Sequence, residues 1–212
     1  MGTSAADRVY EHVKSGVLDG TYGGGDLLTE GGIAEAAGCS RTPVREALLR
    51  LQSEGMVRLY PKKGALVVPV SAQEAADVWQ ARSLVETWAA PIAFGQGAEI
   101  AAELRDLVGQ MRAHFDKRDV PSFTETDRMF HEVIVAAAGN DVLTRLYRSL
   151  RERQVCINAA AMRVSDSRMQ TAIDDHEKLA ALIAADDEDA FVASTMAHLA
   201  LAHENSTLGR PR

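Results

Sequence analysis

Apolar and polar positions along the chain follow helical spacing first, then two short β-prone runs, then helical spacing again to the end. Residues 4 to 19 put Val9, Val13 and Leu18 roughly on one side of a helix, with Ser4 as its N-cap. The turn Gly20-Thr-Tyr-Gly-Gly-Gly25 stops it. A short helix at about 32–37 (IAEAA) ends at Gly38, a residue suited to the left-handed position after a helix. A third helix follows from the N-cap Ser40, with Pro43 in its tolerant first turn, and closes at Gly55. Its apolar face is Val44, Ala47, Leu48 and Leu51. MVRLY and ALVVPV, separated by PKKG, then predict a β-hairpin.

From Ser71 onward Ala, Leu and Glu recur at helical spacing. The breaks predict six helices, at roughly 71–93, 98–117, 121–138, 141–163, 167–185 and 188–206. The fold class expected is therefore mostly α. A winged helix-turn-helix with a small β-hairpin wing occupies residues 1–70, and an all-α antiparallel helical bundle occupies 71–212. Ser71 is the expected N-cap at the boundary, with Glu74 completing a capping box.

Composition narrows the class without changing this division. With 46% hydrophobic and 25% charged residues, disorder is excluded, and no apolar run reaches the ~20 residues of a membrane span. The start MGTSAADRVYEHV carries acids and lacks an apolar segment, so no secretory signal is expected. Cys39 and Cys156 read as reduced small hydrophobes, which fits a cytoplasmic protein.

Charge, by contrast, is informative. Residues 1–70 hold 8 Lys+Arg against 8 Asp+Glu, so the whole net charge of −7 belongs to residues 71–212. Within 41–63, six bases face two acids, a local +4 in an acidic chain. Such a patch suits a polyanion. Arg41 and Arg45 lie at i and i+4 near the start of the third helix, the element that enters a major groove in a winged helix-turn-helix. An arginine fork bonds guanine O6 and N7 bidentately, worth ~1–3 kcal/mol of discrimination per good pair. Ser40 and Thr42, with the backbone N–H groups beside them, suit phosphate, and Lys62 and Lys63 before Gly64 form a slim basic wing tip. The plainer alternative for either arginine is a surface ion pair, such as Arg45 with Glu46.

The stretch SRTPVREALLRLQSEGMV, preceded by LLTEGGIAEAAG, resembles the DNA-binding domain of GntR-type bacterial transcription regulators over about 60 residues. The resemblance implies DNA contact by Arg41, Thr42, Arg45 and Gly64. One departure is visible: some relatives carry a DNA-contacting arginine near the start of the second helix, where this chain has Gly31 and Gly32.

In the second domain, Asp127 and His131 in TDRMFHEVI share a helix face at i and i+4, one half of a metal site. His176 lies ~10 residues before the turn at Asp186-Asp187 and His198 ~11 after it, which puts them at matching heights on packed antiparallel helices. The plainer reading of each, a hydrogen-bonded core histidine, stays open at this point. His12, His114 and His203 lack such partners and are expected to be solvated or interfacial. His203, five residues beyond His198, is an alternative to it that faces elsewhere.

Residues 76–200, with ARSLVETWAAPIA, DRMFHEVIVAAAGNDVL and DHEKLAALIAADDEDAFVASTMAHL, resemble the all-helical effector domain called FCD, of the FadR branch of the same family. That resemblance implies a divalent metal, zinc first with nickel, manganese or iron as alternatives, on Asp127, His131, His176 and His198. It also implies a small organic acid effector near the metal. Arg82 matches a family arginine and is the candidate partner for the acid's carboxylate, with Asn158 and Arg163 as weaker candidates. The alternative for Arg82 is an i, i+4 surface pair with Glu86. The function expected is a homodimeric regulator, repressor in sign, that reads a palindromic double-stranded operator and answers to effector. The rivals are a DNA-binding protein with a purely structural bundle and a metallohydrolase. The second lacks any G-x-S-x-G or H-E-x-x-H motif.

Overall fold

A computed structural model describes residues 4–163 and 165–207. The chain forms two compact units, Met1–Val70 and Ser71–Arg212.

In the first unit, helix α1 (Ala5–Asp19) is capped by a reciprocal Ser4–Asp7 box and stopped by Gly20, at φ 87°. Helix α2 (Glu30–Ala36) is capped by Thr29, whose hydroxyl accepts from the Gly32 amide, and Gly38 takes φ 59° after it. Helix α3 (Arg41–Ser53) buries Val44, Ala47, Leu48 and Leu51 and turns Arg41 and Arg45 outward. Ser40 occupies the N-cap position, but its hydroxyl makes no cap hydrogen bond, which leaves it exposed at the helix start.

The wing is larger than a hairpin. Strands β1 (Leu27–Leu28), β2 (Val57–Tyr60) and β3 (Gly64–Val67) form an antiparallel sheet in the order β1-β3-β2, with Leu28 opposite Ala65 and Tyr60 opposite Gly64. Two residues of strand are too few to leave a periodic signal. Gly64 has φ 123°, and a Cβ there would lie 2.1 Å from the Leu28 carbonyl oxygen. Only glycine lets the wing tip close onto β1.

The second unit contains seven helices among the described residues rather than six: α4 (Ala72–Phe94), α5 (Gly97–Asp116), α6 (Val120–Ala137), α7 (Asp141–Ser149), α8 (Arg151–Met162), α9 (Asp166–Ala184) and α10 (Glu188–Thr207). The predicted 141–163 helix breaks at Leu150, which serves as the C-cap of α7. Ser71 caps α4 through the Glu74 amide, but the Glu74 carboxylate takes hydrogen bonds from Arg153 on α8 (2.5 and 2.6 Å) and does not complete the expected box. Helix α4 packs against α6 and α10, and α5 against α6 and α9. Their shared core includes Leu104, Met111, Phe123, Phe130, Ile173 and Phe191. This core includes residues of all three histidine-bearing helices, α6, α9 and α10.

Candidate functional site

The start of α3, the start of α2 and the wing tip enclose an open cleft of about 430 Å³ lined by Thr29, Glu30, Gly31, Arg41, Arg45, Lys62, Lys63 and Gly64. The structure thus brings Arg41, Arg45, Lys62, Lys63 and Gly64 together, while Ser40 and Thr42 are exposed beside them on the first turn of α3. Lys62 holds φ 62°, a left-handed position that turns the tip sharply before Gly64. Glu30 was not singled out in the sequence. Its carboxylate accepts from Arg45 Nε at 3.0 and 2.9 Å, so the ion-pair partner of Arg45 is Glu30 and not Glu46. No spacing rule links the first turns of two helices fifteen residues apart.

In the helical unit, His131 on α6, His176 on α9 and His198 on α10 converge, all buried. His131 Nε2 lies 3.0 Å from His176 Nε2 and 3.3 Å from His198 Nε2. Asp127 is one turn before His131, with Oδ1 3.7 Å from His176 Nε2, and Asn158 on α8 donates to its other oxygen at 2.8 Å. Each imidazole turns its Nδ1 to an oxygen: His176 to the Ala172 carbonyl (2.5 Å), His198 to Asp175 Oδ2 (3.0 Å) and His131 to Glu86 Oε2 (2.8 Å). Carbonyls and carboxylates can only accept, so this arrangement favours a proton on every Nδ1 and a lone pair on every Nε2. Burial, with His198 and His131 adjacent, pushes His176 well below the ordinary imidazole range, so it holds a single proton. Three lone pairs directed at one another cannot satisfy each other by hydrogen bonding. The donor set and its outer oxygen partners fit a divalent cation.

Beside the histidines lies a cavity of about 50 Å³, walled among others by Trp79, Arg82, Asp127, His131, Asn158 and His198. That is room for a few water-sized groups. Arg82 is not on the surface. Its Nε donates to Glu86 Oε1 at 2.9 Å, its guanidinium sits 4.2 Å from the Trp79 ring, and its Nη1 and Nη2 are buried with no hydrogen-bond partner among the described residues. Glu86 also accepts from Tyr147 at 2.8 Å. Burial works against the Glu86 charge, but Arg82, His131 and the Tyr147 hydroxyl together outweigh it and hold the carboxyl far below its usual range. Tyr147 is pushed up, by burial first and then by Glu86. Of the effector candidates, Arg82 and Asn158 reach the cavity, whereas Arg163 is exposed at the end of α8 and outside its wall.

Among the other histidines, His12 contacts Tyr22 Oη at 3.2 Å and His114 lies 4.0 Å from Asp119. The His203 side chain lies outside the described residues. Asp175 is the site residue that the sequence conceals, since no linear spacing ties it to His198; the i, i+4 spacing of Arg82 and Glu86 is visible, but the burial of that pair is not.

A family model for the FCD domain matches residues 77–201, and one described as bacterial regulatory proteins, gntR family, matches residues 5–67. The chain belongs to the GntR family, in its FCD-bearing branch. An uncharacterized HTH-type transcriptional regulator of the TAR-I ttuE-ttuC' intergenic region of Agrobacterium vitis is 34% identical over 142 residues, which is 64% of this chain and 83% of that one. The gluconate operon transcriptional repressor of Bacillus licheniformis is 25% identical over 177 residues, 83% of this chain and 71% of the relative. Among solved structures, E. coli McbR/YncC superposes with a TM-score of 0.70 at 22% identity, covering 96% of this chain and 99% of its own. A GntR-type protein from Rhodococcus sp. RHA1 gives 0.78 at 21%, covering 99% and 100%. These likenesses establish the fold. This GntR-family protein is a DNA-binding transcriptional regulator and not an enzyme, which sets aside the hydrolase alternative. No helix among the described residues is long and apolar enough to cross a membrane.

Proposed function

We propose that this regulator is a cytoplasmic homodimeric repressor that reads a palindromic operator with Arg41 and Arg45 of α3, steadied on phosphate by Ser40, Thr42 and the wing tip at Lys62, Lys63 and Gly64, and that a small carboxylate bound in the helical unit tunes its grip. The observation that carries the sensing half is Arg82: it lines a cavity that shares its wall with His131, His198 and Asp127, and two of its guanidinium nitrogens are buried without partners among the described residues. A buried donor pair of this kind costs free energy unless a ligand meets it. A planar carboxylate matches both nitrogens at once.

Asp127, His131, His176 and His198 would hold a divalent ion, with zinc the first choice and nickel, manganese or iron as alternatives. When bound, such an ion supplies a positive charge with coordination positions open to an anionic ligand. The chain's own residues do the rest. Asn158 orients Asp127, while Ala172, Asp175 and Glu86 fix the imidazole rings. Trp79 closes one side of the cavity. Ligand binding changes operator affinity only to the extent that the ligand prefers one of two states of the protein.

The size of the cavity favours the smallest carboxylates and hydroxy acids as probes; the printed name of the Bacillus relative adds gluconate, which would require the cavity to widen. Metal content measured after dialysis against EDTA and reloading with zinc should recover about one ion per chain, and His131→Ala should abolish that recovery. On reloaded protein, gluconate or another small hydroxy acid should raise the melting temperature of wild type and not of Arg82→Met. Absence of any thermal shift across a panel of small carboxylates, with zinc loaded, would leave the bundle a structural one.

A further inference from the structure

We infer that Glu30 is a positioning residue for base reading: it holds Arg45 by Nε alone and so dedicates the two terminal nitrogens of that arginine to one base edge. Both Glu30 oxygens receive the same donor, Nε, at 2.9 and 3.0 Å. Nη1 and Nη2 have no partner among the described residues, and the Arg45 side chain is 66% exposed. A guanidinium held in this way can present only its end-on fork, whereas a free one also offers the side-on Nε–Nη edge and many rotamers. The end-on fork is one of the arrangements that matches guanine O6 and N7.

The pair has no other evident task. Thr29 already caps α2 by accepting from the Gly32 amide, so the Glu30 carboxylate is free of capping duty. An ion pair this exposed adds little to folding. Glu30 also stands in the cleft among Arg41, Arg45, Lys62 and Lys63, where a negative charge opposes phosphate. A side chain that weakens non-specific attraction while aligning a base reader raises the ratio of specific to non-specific binding by both routes. Gly31, next to Glu30, carries no side chain toward Arg41; a Cβ there would meet Arg41 Nη2 at 3.8 Å, an ordinary van der Waals contact. Arg41 and the held Arg45 thus project side by side where some relatives present an arginine from α2.

This inference rests on the assignment of Arg45 to base reading, and the test separates the two. Wild-type protein is first used to select a duplex from a randomised pool. Affinities of wild type, Glu30→Ala, Glu30→Gln, Arg45→Ala and the Glu30→Ala/Arg45→Ala double variant are then measured on the selected duplex and on a scrambled duplex of equal length. Glu30→Ala should bind the selected duplex about tenfold more weakly and the scrambled one as well as or better than wild type. Glu30→Gln, whose amide oxygen still accepts from Nε, should fall between. The double variant should be no weaker on the selected duplex than Arg45→Ala alone. If Glu30→Ala tightens both duplexes by the same factor, Glu30 is only a repelling charge and the inference is overturned. If Arg45→Ala keeps full selectivity, the base-reading assignment falls and takes this inference with it. Loss with Arg45→Ala but none with Glu30→Ala removes the positioning role alone. Circular dichroism of Glu30→Gln confirms that folding is intact in the comparison.

Discussion

Two arginine–glutamate pairs share a 2.9 Å contact from Nε and little else. Arg45–Glu30 leaves its side chains 66% and 30% exposed, and Arg82–Glu86 leaves 1% and 2%. In water the first pair gains little and loses little when broken, so its geometry is free to serve a partner molecule. In the interior each member of the second is uncompensated without the other, so the pair is bound up with the fold itself. Yet among the described residues both arginines keep their terminal nitrogens unbonded, one on an exposed side chain and one in the buried wall of a cavity. The same half-satisfied fork is inexpensive to keep waiting outside and costly to keep waiting inside. The interior one therefore argues more strongly for a ligand.

Substitutions can break this contrast. Arg82→Met should cost the most, about 3–5 kcal/mol, because Glu86 stays buried without its main counter-charge. In a chain of this size that is a fall of about 10 °C or more in melting temperature, measurable by calorimetry. If the loss proves no larger than for a surface arginine, the pair is hydrated in solution and the contrast collapses. Tyr147→Phe should cost about 1–2 kcal/mol by withdrawing one donor from Glu86 while preserving the ring's packing. Arg45→Ala should move the melting temperature by no more than about 2 °C while removing selective DNA binding. A large thermal effect there would mean that the exposed pair is structural after all.

The smallest effect sharpens the exposed side of the comparison. Asp7, hydrogen-bonded by Ser4 and then by Arg50, has its carboxyl lowered below the usual range. A group depressed on folding contributes stability that is present above its unfolded value and lost as pH falls through the folded one. Asp7→Asn should therefore lower the melting temperature slightly at neutral pH and flatten the acid limb of the profile, the variant and wild type converging below about pH 4.

How much of this was legible in the sequence depended on whether function sat on a periodic face. Arg41 and Arg45 were readable because α3 is plainly two-sided, with four apolar residues opposite them. The histidines were readable from the i, i+4 spacing of Asp127 and His131 and from equal distances about one turn for His176 and His198. Arg82 and Glu86 were placed on the surface in one reading because α4 carries apolar residues around its whole circumference. With no polar side to exclude, nothing local marks which charges turn inward. The break at Leu150 left no trace because it needs no glycine or proline: its φ −81° and ψ −10° are open to any residue. The Arg45–Glu30 contact depends on how two helices cross, which no linear spacing records.

Trp79 has one more consequence. The chain has two tryptophans, Trp79 and Trp88, and both lie on α4. The DNA-reading unit holds none, so it is dark under excitation selective for indole. Trp79 is buried, stacked on the Arg82 guanidinium at the cavity wall, while Trp88 is partly in solvent. The regulator thus carries its own optical gauge: a ligand in the cavity would register in the blue-shifted component of the emission, while the DNA-reading unit adds no indole signal of its own.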